Sequence, residues 1–219
     1  VFKDEHYKAL VIDTIDFIRN WFESVDGGYF SGIDADYLGR EGKYYVYSPQ
    51  ELSLIEQSSL NQFSWCNFNS NAYKFPCSLK SNDKLDNAKR ALQAVKSELV
   101  RPHVDRKVIT AWNAMMISAF VDAYSAFDED LYLNEAIKLA NIISKRHVNR
   151  SGLLMRVRYQ NKLAGKAVLS DYAYLASAMF TLFQTTQNQK WYQLSVQLYQ
   201  QGSMVFDEGF QREGGLGGG

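Results

Sequence analysis

The sequence lacks the features that mark a nucleic-acid binder or a membrane protein. Its 24 Lys and Arg residues are balanced by 24 Asp and Glu residues, so it has no basic footprint for nucleic acid. No stretch approaches the ~18 consecutive apolar residues of a membrane-spanning helix, and no secretory signal pattern is visible. We therefore expect neither nucleic acid nor a membrane as a partner, and a cytoplasmic location by default.

Cysteine and histidine are also scarce. The two cysteines, Cys66 and Cys77, are too few for a disulfide scaffold and too far apart for a CxxC motif. The three histidines do not cluster with them, so no set of four zinc ligands comes together in the sequence. We expect no bound metal and no cofactor.

Apolar and aromatic side chains are plentiful. Hydrophobic residues make up 46% of the 219 residues and aromatic residues 14%, enough for one sizeable core. This predicts a single domain over residues 1–219. Aromatic side chains also suit sugar-binding clefts, which need flat faces and hydroxyl tips.

Apolar residues recur at helical spacing through most of the chain. The stretch at residues 107–127 is apolar on most faces, which predicts a buried helix with Trp112 inside it. Residues 152–168 alternate instead and predict a short β-hairpin. The predicted helices cover residues 7–22, 83–99, 107–127, 129–147, 169–186 and 190–206.

The helices pair into a repeat. At an offset of 172 − 112 = 60 residues, Trp112 aligns with Tyr172, and Phe120 and Tyr132 also align with aromatic residues. Repeats of this length are typical of stacked or closed helical hairpins. We predict an all-α fold: an (α/α) toroid of antiparallel helical hairpins, with short β-hairpins at one end.

Two segments fall outside the helical pattern. The tyrosine-rich residues 44–47 predict a strand. Residues 60–82 are rich in Asn, Ser and aromatics and predict a long loop, a kind of segment that is often functional. His6 and His147 lie near the ends of predicted helices, and we expect both at the surface.

Asp34 and Asp36 are the first candidate catalytic residues. They either fix a turn through their own side chains or supply acid–base chemistry on a sugar. Side chains at i and i+2 of an extended segment point the same way, so both carboxylates should face one side. Glu41 would complete a carboxylate pair of the type that glycosidases use, and Tyr29 and Tyr45 are candidate substrate contacts beside it.

The second candidate segment is RPHVDRK at residues 101–107. Pro102 ends the preceding helix, and Asp105 would cap the next one in the simplest interpretation. That interpretation leaves Arg101, His103 and Lys107 unexplained, and helix N-termini attract acceptor-rich ligands. His103 and Asp105 are therefore candidate catalytic residues, and Arg101 and Lys107 candidate substrate-binding residues.

Four more candidate substrate contacts lie at the starts of two predicted helices. Asn113 follows Trp112 in an apolar helix, and a buried Asn must be hydrogen-bonded, so it is either a packing clamp or a ligand contact. Asp171 and Tyr172 occupy the repeat position of Ala111 and Trp112. Asp171 is either a ligand contact or a carboxylate favoured by the helix dipole.

Three motifs, in order, resemble a known family. Residues 27–52, GGYFSGIDADYLGREGKYYVYSPQEL, resemble the G-G-F-Y-S-x-x-D-A-D-S-x-G-x-E-G-x-F-Y-V-W stretch of thioredoxin-domain-containing, spermatogenesis-associated proteins. Residues 101–119, RPHVDRKVITAWNAMMISA, resemble that family's R-P-H-x-D-D-K-x-L-T-x-W-N-x-L-M-I, and residues 169–186 its L-x-D-Y-A-x-L. The resemblance covers most of the chain and is weakest at residues 60–80.

In that family a thioredoxin-like domain precedes an (α/α)6 barrel similar to N-acylglucosamine 2-epimerases and six-hairpin glycosidases. The resemblance implies that this chain is a central part of the barrel, without the thioredoxin-like domain. It also implies a small-molecule sugar as ligand. A thioredoxin-like domain or a second copy would be the expected protein partner, since a partial barrel exposes apolar faces.

The expected activity is acid–base chemistry on a sugar. Epimerisation uses a base and an acid on opposite faces, usually two histidines, and the motifs contain only His103. Hydrolysis uses two carboxylates, and four are available: Asp34, Asp36, Glu41 and Asp105. The residue inventory favours hydrolysis, whereas the resemblance favours an epimerase-like enzyme.

The alternative is a non-catalytic binding or scaffold module that serves a thioredoxin-like redox domain. For either function, we expect the Asp-x-Asp and RPHVDRK segments to meet across one pocket lined by Tyr29, Tyr45 and Trp112. Arg156 and Arg158 should lie at the same end of the helical hairpins.

Overall fold

The computed structural model describes residues 5–68, 73–79, 85–97 and 99–213, which are mostly helical. The helices, in chain order, are α1 (Glu5–Phe22), α2 (Pro49–Ser53), α3 (Gln57–Leu60), α4 (Leu85–Lys96), α5 (Thr110–Phe127), α6 (Asp130–Arg146), α7 (Leu169–Thr186) and α8 (Gln189–Glu213). The strands are β1 (Gly32–Ile33), β2 (Asp36–Tyr37), β3 (Arg40–Glu41), β4 (Phe63–Phe68), β5 (Tyr73–Leu79), β6 (Val104–Asp105), β7 (Val108–Ile109), β8 (Met155–Tyr159) and β9 (Lys162–Lys166). Across these described helices, no segment is long and apolar enough to cross a bilayer.

The chain divides into two compact units. The first comprises Val1–Gly32 with Asp105–Gly219, and the second comprises Ile33–Val104. Each has an apolar cluster of its own: the first is centred on α5 and α7, the second on β4 and α4. The single domain predicted for residues 1–219 stays a prediction.

Two helical hairpins make up most of the first unit. α5 packs against α6, α7 packs against α8, and α5 also packs against α7. Each hairpin turns at a residue in the left-handed conformation, Asp128 with φ 59° and Gln187 with φ 56°, whose N–H closes the last helical turn. The predicted all-α fold of antiparallel helical hairpins is confirmed, and α7 spans the predicted residues 169–186.

The repeat is 59 residues long, so the offset of 60 is wrong by one. α7 begins 169 − 110 = 59 residues after α5, α8 begins 189 − 130 = 59 residues after α6, and the two left-handed turn residues are 187 − 128 = 59 apart. One residue rotates a helical position by about 100°. The corrected offset pairs Phe120 with Met179 and Tyr132 with Trp191, and all four are buried. The aligned aromatic residues gave the wrong offset, because an aromatic side chain does not indicate which face of the helix it occupies.

A three-stranded antiparallel sheet, β7-β8-β9, joins the short strand before α5 to the β-hairpin between α6 and α7. Tyr159 pairs with Lys162, which leaves Gln160 and Asn161 as a two-residue turn. Their φ angles of 47° and 61° are those of a type I′ turn, whose twist matches the flanking strands. The hairpin predicted for residues 152–168 is confirmed.

The second unit contains a turn where the sequence predicts a strand. Lys43–Tyr45 forms a short 3₁₀ helix, so the strand prediction for residues 44–47 is wrong. Gly42 precedes the helix in the left-handed conformation, with φ 71°, and reverses the chain. Tyr44 makes edge-to-face ring contacts with Tyr37 and Tyr45, so the aromatic residues pack around a tight turn.

The loop predicted for residues 60–82 is also wrong where the structure describes it. β4 and β5 form an antiparallel hairpin with a register shift between Ser64 and Trp65. Phe63 is buried with Ile55 and Leu92 in the core of the second unit, and this apolar anchor outweighs the Asn and Ser content around it. Residues 69–72 and 80–82 lie outside the described residues.

Trp112 is not buried, contrary to the sequence prediction. Its side chain is 52% exposed, because α5 packs against α6 and α7 on its other sides. Met115, one turn further along, is exposed on the same side. α5 therefore has an exposed face despite its apolar composition, and Trp112 stays a candidate for ligand contact.

We expect Trp112→Ala to change the free energy of unfolding by less than about 1 kcal/mol, since substitutions at exposed positions rarely cost more. Phe120→Ala is the matched control in the same helix: its ring is fully buried, and its removal should cost roughly 3–5 kcal/mol. Urea unfolding of both variants measures the difference. Equal losses in the two variants would contradict the exposed position of the indole.

Candidate functional site

Asp34 and His103 form an accessible pair in the second unit. Oδ2 of Asp34 lies 3.6 Å from Nδ1 of His103, and 58% and 76% of the two side chains are exposed. The Asp34 N–H also donates to the His103 carbonyl at 2.9 Å, so backbone pairing holds the two residues side by side. An accessible imidazole beside a carboxylate is an arrangement suited to general acid–base chemistry.

Tyr45 supports the Asp34 side of this pair. Its hydroxyl donates to the Asp34 carbonyl at 2.9 Å. The neighbouring Val46 carbonyl accepts a hydrogen bond at 2.8 Å from Lys96, whose buried ammonium also lies 2.7 Å from Glu51. Burial alone would raise the pKa of Glu51, but the hydrogen bonds from Lys96 and Ser48 outweigh it, and the pKa is lowered.

Asp36 has a different neighbour from Asp34. It begins β2 and lies directly opposite Glu41 in β3, on a hairpin whose turn residues Leu38 and Gly39 both have positive φ. Opposite residues of an antiparallel pair bring their Cβ atoms within about 5.5 Å, so two exposed carboxylates share one face of this hairpin. Among the described residues, no three His, Cys, Asp or Glu side chains are grouped so as to hold a metal ion.

Asp105 and Lys107 pair with each other in the first unit. Lys107 Nζ donates to the Asp105 carboxylate at 2.8 Å, and this hydrogen bond is the main reason that the pKa of Asp105 is lowered. The interpretation of Asp105 as the N-cap of α5 is wrong, because α5 begins at Thr110 and Ile109 occupies the cap position. Arg101, in the second unit, is exposed.

Asn113 is buried and clamps the loop after α1. Its Oδ1 accepts the Tyr29 N–H at 2.7 Å, and its Nδ2 donates to the carbonyls of Tyr29 and Ile109 at 3.0 and 2.9 Å. Gly28 allows the close approach: it has φ 85°, and a Cβ there would lie 2.8 Å from Val108. The Tyr29 ring is buried as well, and burial raises its pKa to about 12. The contacts of Asn113 are those expected of a packing clamp.

Asp171 and Tyr172 are also buried. The Asp171 carboxylate accepts the Ala111 N–H at 3.0 Å and the Val168 N–H at 2.9 Å, and Arg156 Nη1 lies 3.4 Å from it. Asp171 therefore satisfies backbone donors at the starts of both α5 and α7. The substrate contacts predicted for Tyr29, Asn113, Asp171 and Tyr172 stay predictions, and their side chains are engaged in internal packing.

A buried polar cluster surrounds His147, and no motif in the sequence indicates it. The prediction of a surface position is wrong, because this side chain is fully buried. Thr110 Oγ1 donates to the Met155 carbonyl at 2.6 Å and lies 2.7 Å from His147 Nδ1. Since the hydroxyl proton is committed to Met155, Nδ1 must carry the imidazole proton. Burial, and then the charge of Arg158, lowers the pKa of His147 to about 3.

Sugar epimerases and isomerases are among the solved structures that match this chain. No family model matches it. A sugar epimerase from a ruminal bacterium is 15% identical with a TM-score of 0.41, covering 88% of this chain and 53% of that chain. A D-mannose isomerase is 13% identical with a TM-score of 0.40, covering 90% and 51%.

In sequence, the chain is similar to spermatogenesis-associated protein 20, which confirms the resemblance given by the three motifs. The human protein is 29% identical over 110 residues, 45% of this chain and 14% of the relative. An uncharacterized protein of Caenorhabditis elegans is 31% identical over 122 residues, 52% of this chain and 17% of the relative. The match thus spans less than a fifth of these relatives' length.

Proposed function

We propose that this chain moves a proton on a sugar, as a sugar isomerase-like enzyme in which His103 is the base. The observation that carries the proposal is the accessible Asp34–His103 pair, 3.6 Å apart. Imidazole is the side chain whose ordinary pKa suits it to accept and return protons near neutral pH. The sugar class is taken from the resemblance of the motifs.

A single histidine fits isomerisation better than epimerisation. Epimerisation removes a proton from one face of a carbon and returns another to the opposite face, which calls for two groups. Aldose–ketose isomerisation moves a proton between adjacent carbons, and one base on one face suffices. His103 would take the proton from C2 and deliver it to C1 of the enediol, while a proton passes from the C2 hydroxyl to the C1 oxygen.

The other residues of the second unit have supporting roles in this proposal. The Asp34 carboxylate lies 3.6 Å from Nδ1, close enough for its charge to stabilise the imidazolium, and Nε2 would take the sugar proton. The exposed carboxylates of Asp36 and Glu41 can accept hydrogen bonds from sugar hydroxyls. Tyr45 keeps the Asp34 backbone in place.

The test is exchange of sugar carbon-bound hydrogen for deuterium. The chain is incubated in D2O with glucose, mannose, galactose or fructose. Proton NMR follows loss of the C2–H signal of the aldoses or of a C1–H signal of fructose, and formation of the isomer. His103→Gln should slow the exchange roughly 10²–10⁴-fold, the usual contribution of a general base. Gln50→Ala, an exposed position of the same unit, is the control and should leave the rate unchanged.

Three results would contradict the proposal. One is exchange that is equally fast in His103→Gln. Another is release of reducing ends from glycosides that depends on Asp36 and Glu41 but not on His103, which would identify a glycosidase. The third is sugar binding in a thermal-shift assay without any exchange, which would indicate a non-catalytic module.

A further inference from the structure

A pocket of about 550 Å³ opens in the second unit, beside α2, α3 and the β4–β5 hairpin. Small-molecule sites in proteins have volumes of this size. Apolar side chains form part of the lining: Ile55 and Phe63 are buried, and Leu60 is half-buried. Asp34 and His103 do not line this pocket, so it is not the candidate acid–base site.

Trp65 is a fixed aromatic wall of the pocket. Its Nε1–H donates to the Leu60 carbonyl at 3.0 Å, and its ring meets those of Phe63 and Tyr47 edge to face, with centroids 5.7 and 6.1 Å away. The polar atom of the indole is therefore already used, and the ring is held in one orientation. Because the side chain is only half-buried, it presents a flat apolar surface on which a planar ring can stack.

Lys74 is the only charged residue among the described residues that line the pocket. Trp65 pairs with Pro76 across the β4–β5 hairpin, and side chains two residues apart in a strand share a face, so Lys74 and Trp65 lie on the same face. The Lys74 ammonium makes no ion pair within the part of the chain that the structure describes. The pocket thus has an uncompensated positive charge beside an aromatic face.

Asn61 supplies an uncharged donor to the same pocket. Gln57 Nε2 donates to Asn61 Oδ1 at 2.9 Å, which occupies the oxygen of the Asn61 amide and leaves its NH₂ group to donate elsewhere. The Ser53 hydroxyl is committed to the Gln50 carbonyl at 2.7 Å. An ammonium and an amide donor, with no acidic side chain in the described lining to oppose them, complement a carboxylate.

We propose that this pocket binds a small aromatic carboxylate, with its ring on the face of Trp65 and its carboxylate at the Lys74 ammonium. Each half of the ligand corresponds to a separate observation. A carboxylate without a ring would leave the Trp65 face unused, and a ring without a charge would leave Lys74 unpaired. The proposal concerns binding alone, and it holds whether or not His103 acts on a sugar.

Naphthylacetate is the probe, and naphthylacetamide, which has nearly the same shape without the charge, is the matched ligand control. Each is titrated into the full 219-residue chain while proton–nitrogen NMR spectra follow the indole N–H signals. We expect a saturable shift of the Trp65 signal, assigned with Trp65→Phe, and no shift of the signal of Trp191, which is buried in the first unit. The amide should bind about tenfold more weakly, because hydrogen bonds to charged groups are roughly twice as strong as neutral ones.

Lys74→Gln should weaken naphthylacetate binding about tenfold and remove its advantage over the amide. Lys74 is exposed, so the substitution should not unfold the chain. Lys43→Gln is the matched control, because it removes one positive charge from the same unit at a residue that does not line the pocket, and it should leave binding unchanged. Lack of saturable binding, equal binding of the two ligands, equal losses in the two lysine variants, or an unshifted Trp65 signal would each overturn the proposal.

Discussion

Acidification from pH 6.5 towards pH 3 should remove roughly 5 kcal/mol of folding free energy through His147 alone. The folded pKa of His147 is about 3, whereas an unfolded histidine has a pKa of about 6.5. The unfolded chain therefore binds a proton that the folded chain excludes, and stability is lost as pH falls through this window at about 1.4 kcal/mol per unit. Above pH 6.5 both states are neutral and the effect vanishes.

The physical cause lies in the surroundings of the imidazole. Nδ1 already donates to Thr110, so a second proton must go to Nε2, which is buried and has no hydrogen-bond partner among the described residues. The charge of Arg158 also opposes the proton. Burial, and then the charge of Arg146, lowers the pKa of Arg158 itself.

Urea unfolding at pH 7.5, 5.5 and 4.5 measures the effect. His147→Asn should be less stable than the parent chain at pH 7.5, but between pH 5.5 and 4.5 it should lose about 1.4 kcal/mol less. Gln50→Ala, at an exposed position without an ionisable group, is the control, and it should keep the pH dependence of the parent chain. An equal slope in His147→Asn and the parent would show that His147 does not cause the acid sensitivity.

Asp171→Ala should cost roughly 2–6 kcal/mol, because the carboxylate is fully buried and two backbone donors lose their acceptor at about 1–3 kcal/mol each. The substitution leaves the N–H groups of Ala111 and Val168 without their acceptor and Arg156 without its carboxylate. Each unsatisfied buried donor costs about 1–3 kcal/mol. Ala111 lies in the first turn of α5 and Val168 directly precedes α7. Loss of the acceptor that they share should therefore loosen the contact between α5 and α7.

Asp122→Ala is the control for this substitution. Asp122 is an exposed carboxylate on α5, and replacing it should change stability by no more than about 0.5 kcal/mol. Thermal or urea unfolding of the two variants measures the difference. If Asp171→Ala unfolds like Asp122→Ala, then the carboxylate does not hold the two helix starts together, and a role in ligand binding gains weight.

The elements that could be predicted from sequence are those with local causes. The bounds of α7 follow from its apolar period, and the β8–β9 hairpin follows from alternation around Gln160 and Asn161. The failures involve partners that are distant in the chain. His147 ends a basic stretch that is typical of a solvated helix end, yet its side chain is fully buried. The neighbouring Arg146 and Arg158 donate hydrogen bonds to the carbonyls of Asp26 and Gly27, which are more than 100 residues away in the chain.

The candidate site shows the same limit. The sequence identifies both polar motifs, but it cannot say that Asp34 meets His103 while Asp36 lies opposite Glu41. Asp34 is held by backbone pairing with His103, whereas Asp36 begins the hairpin of β2 and β3, so the two aspartates have different partners although only one residue separates them. The predicted repeat offset of 60 is wrong for a related reason. It was drawn from matching aromatic residues, whereas the register of the repeat is set by the left-handed turn residues Asp128 and Gln187.

The uneven packing of the hairpins also sets how the first unit opens. α5 is flanked by both α6 and α7, whereas α8 packs mainly on α7. In a stack of repeats, stability is the sum of each unit's own folding and its contacts with neighbours, so the unit with fewer neighbours opens at lower free energy. α8 can therefore detach in a sub-global fluctuation while α5 and α6 stay folded, and its amides would exchange with solvent long before those of α5.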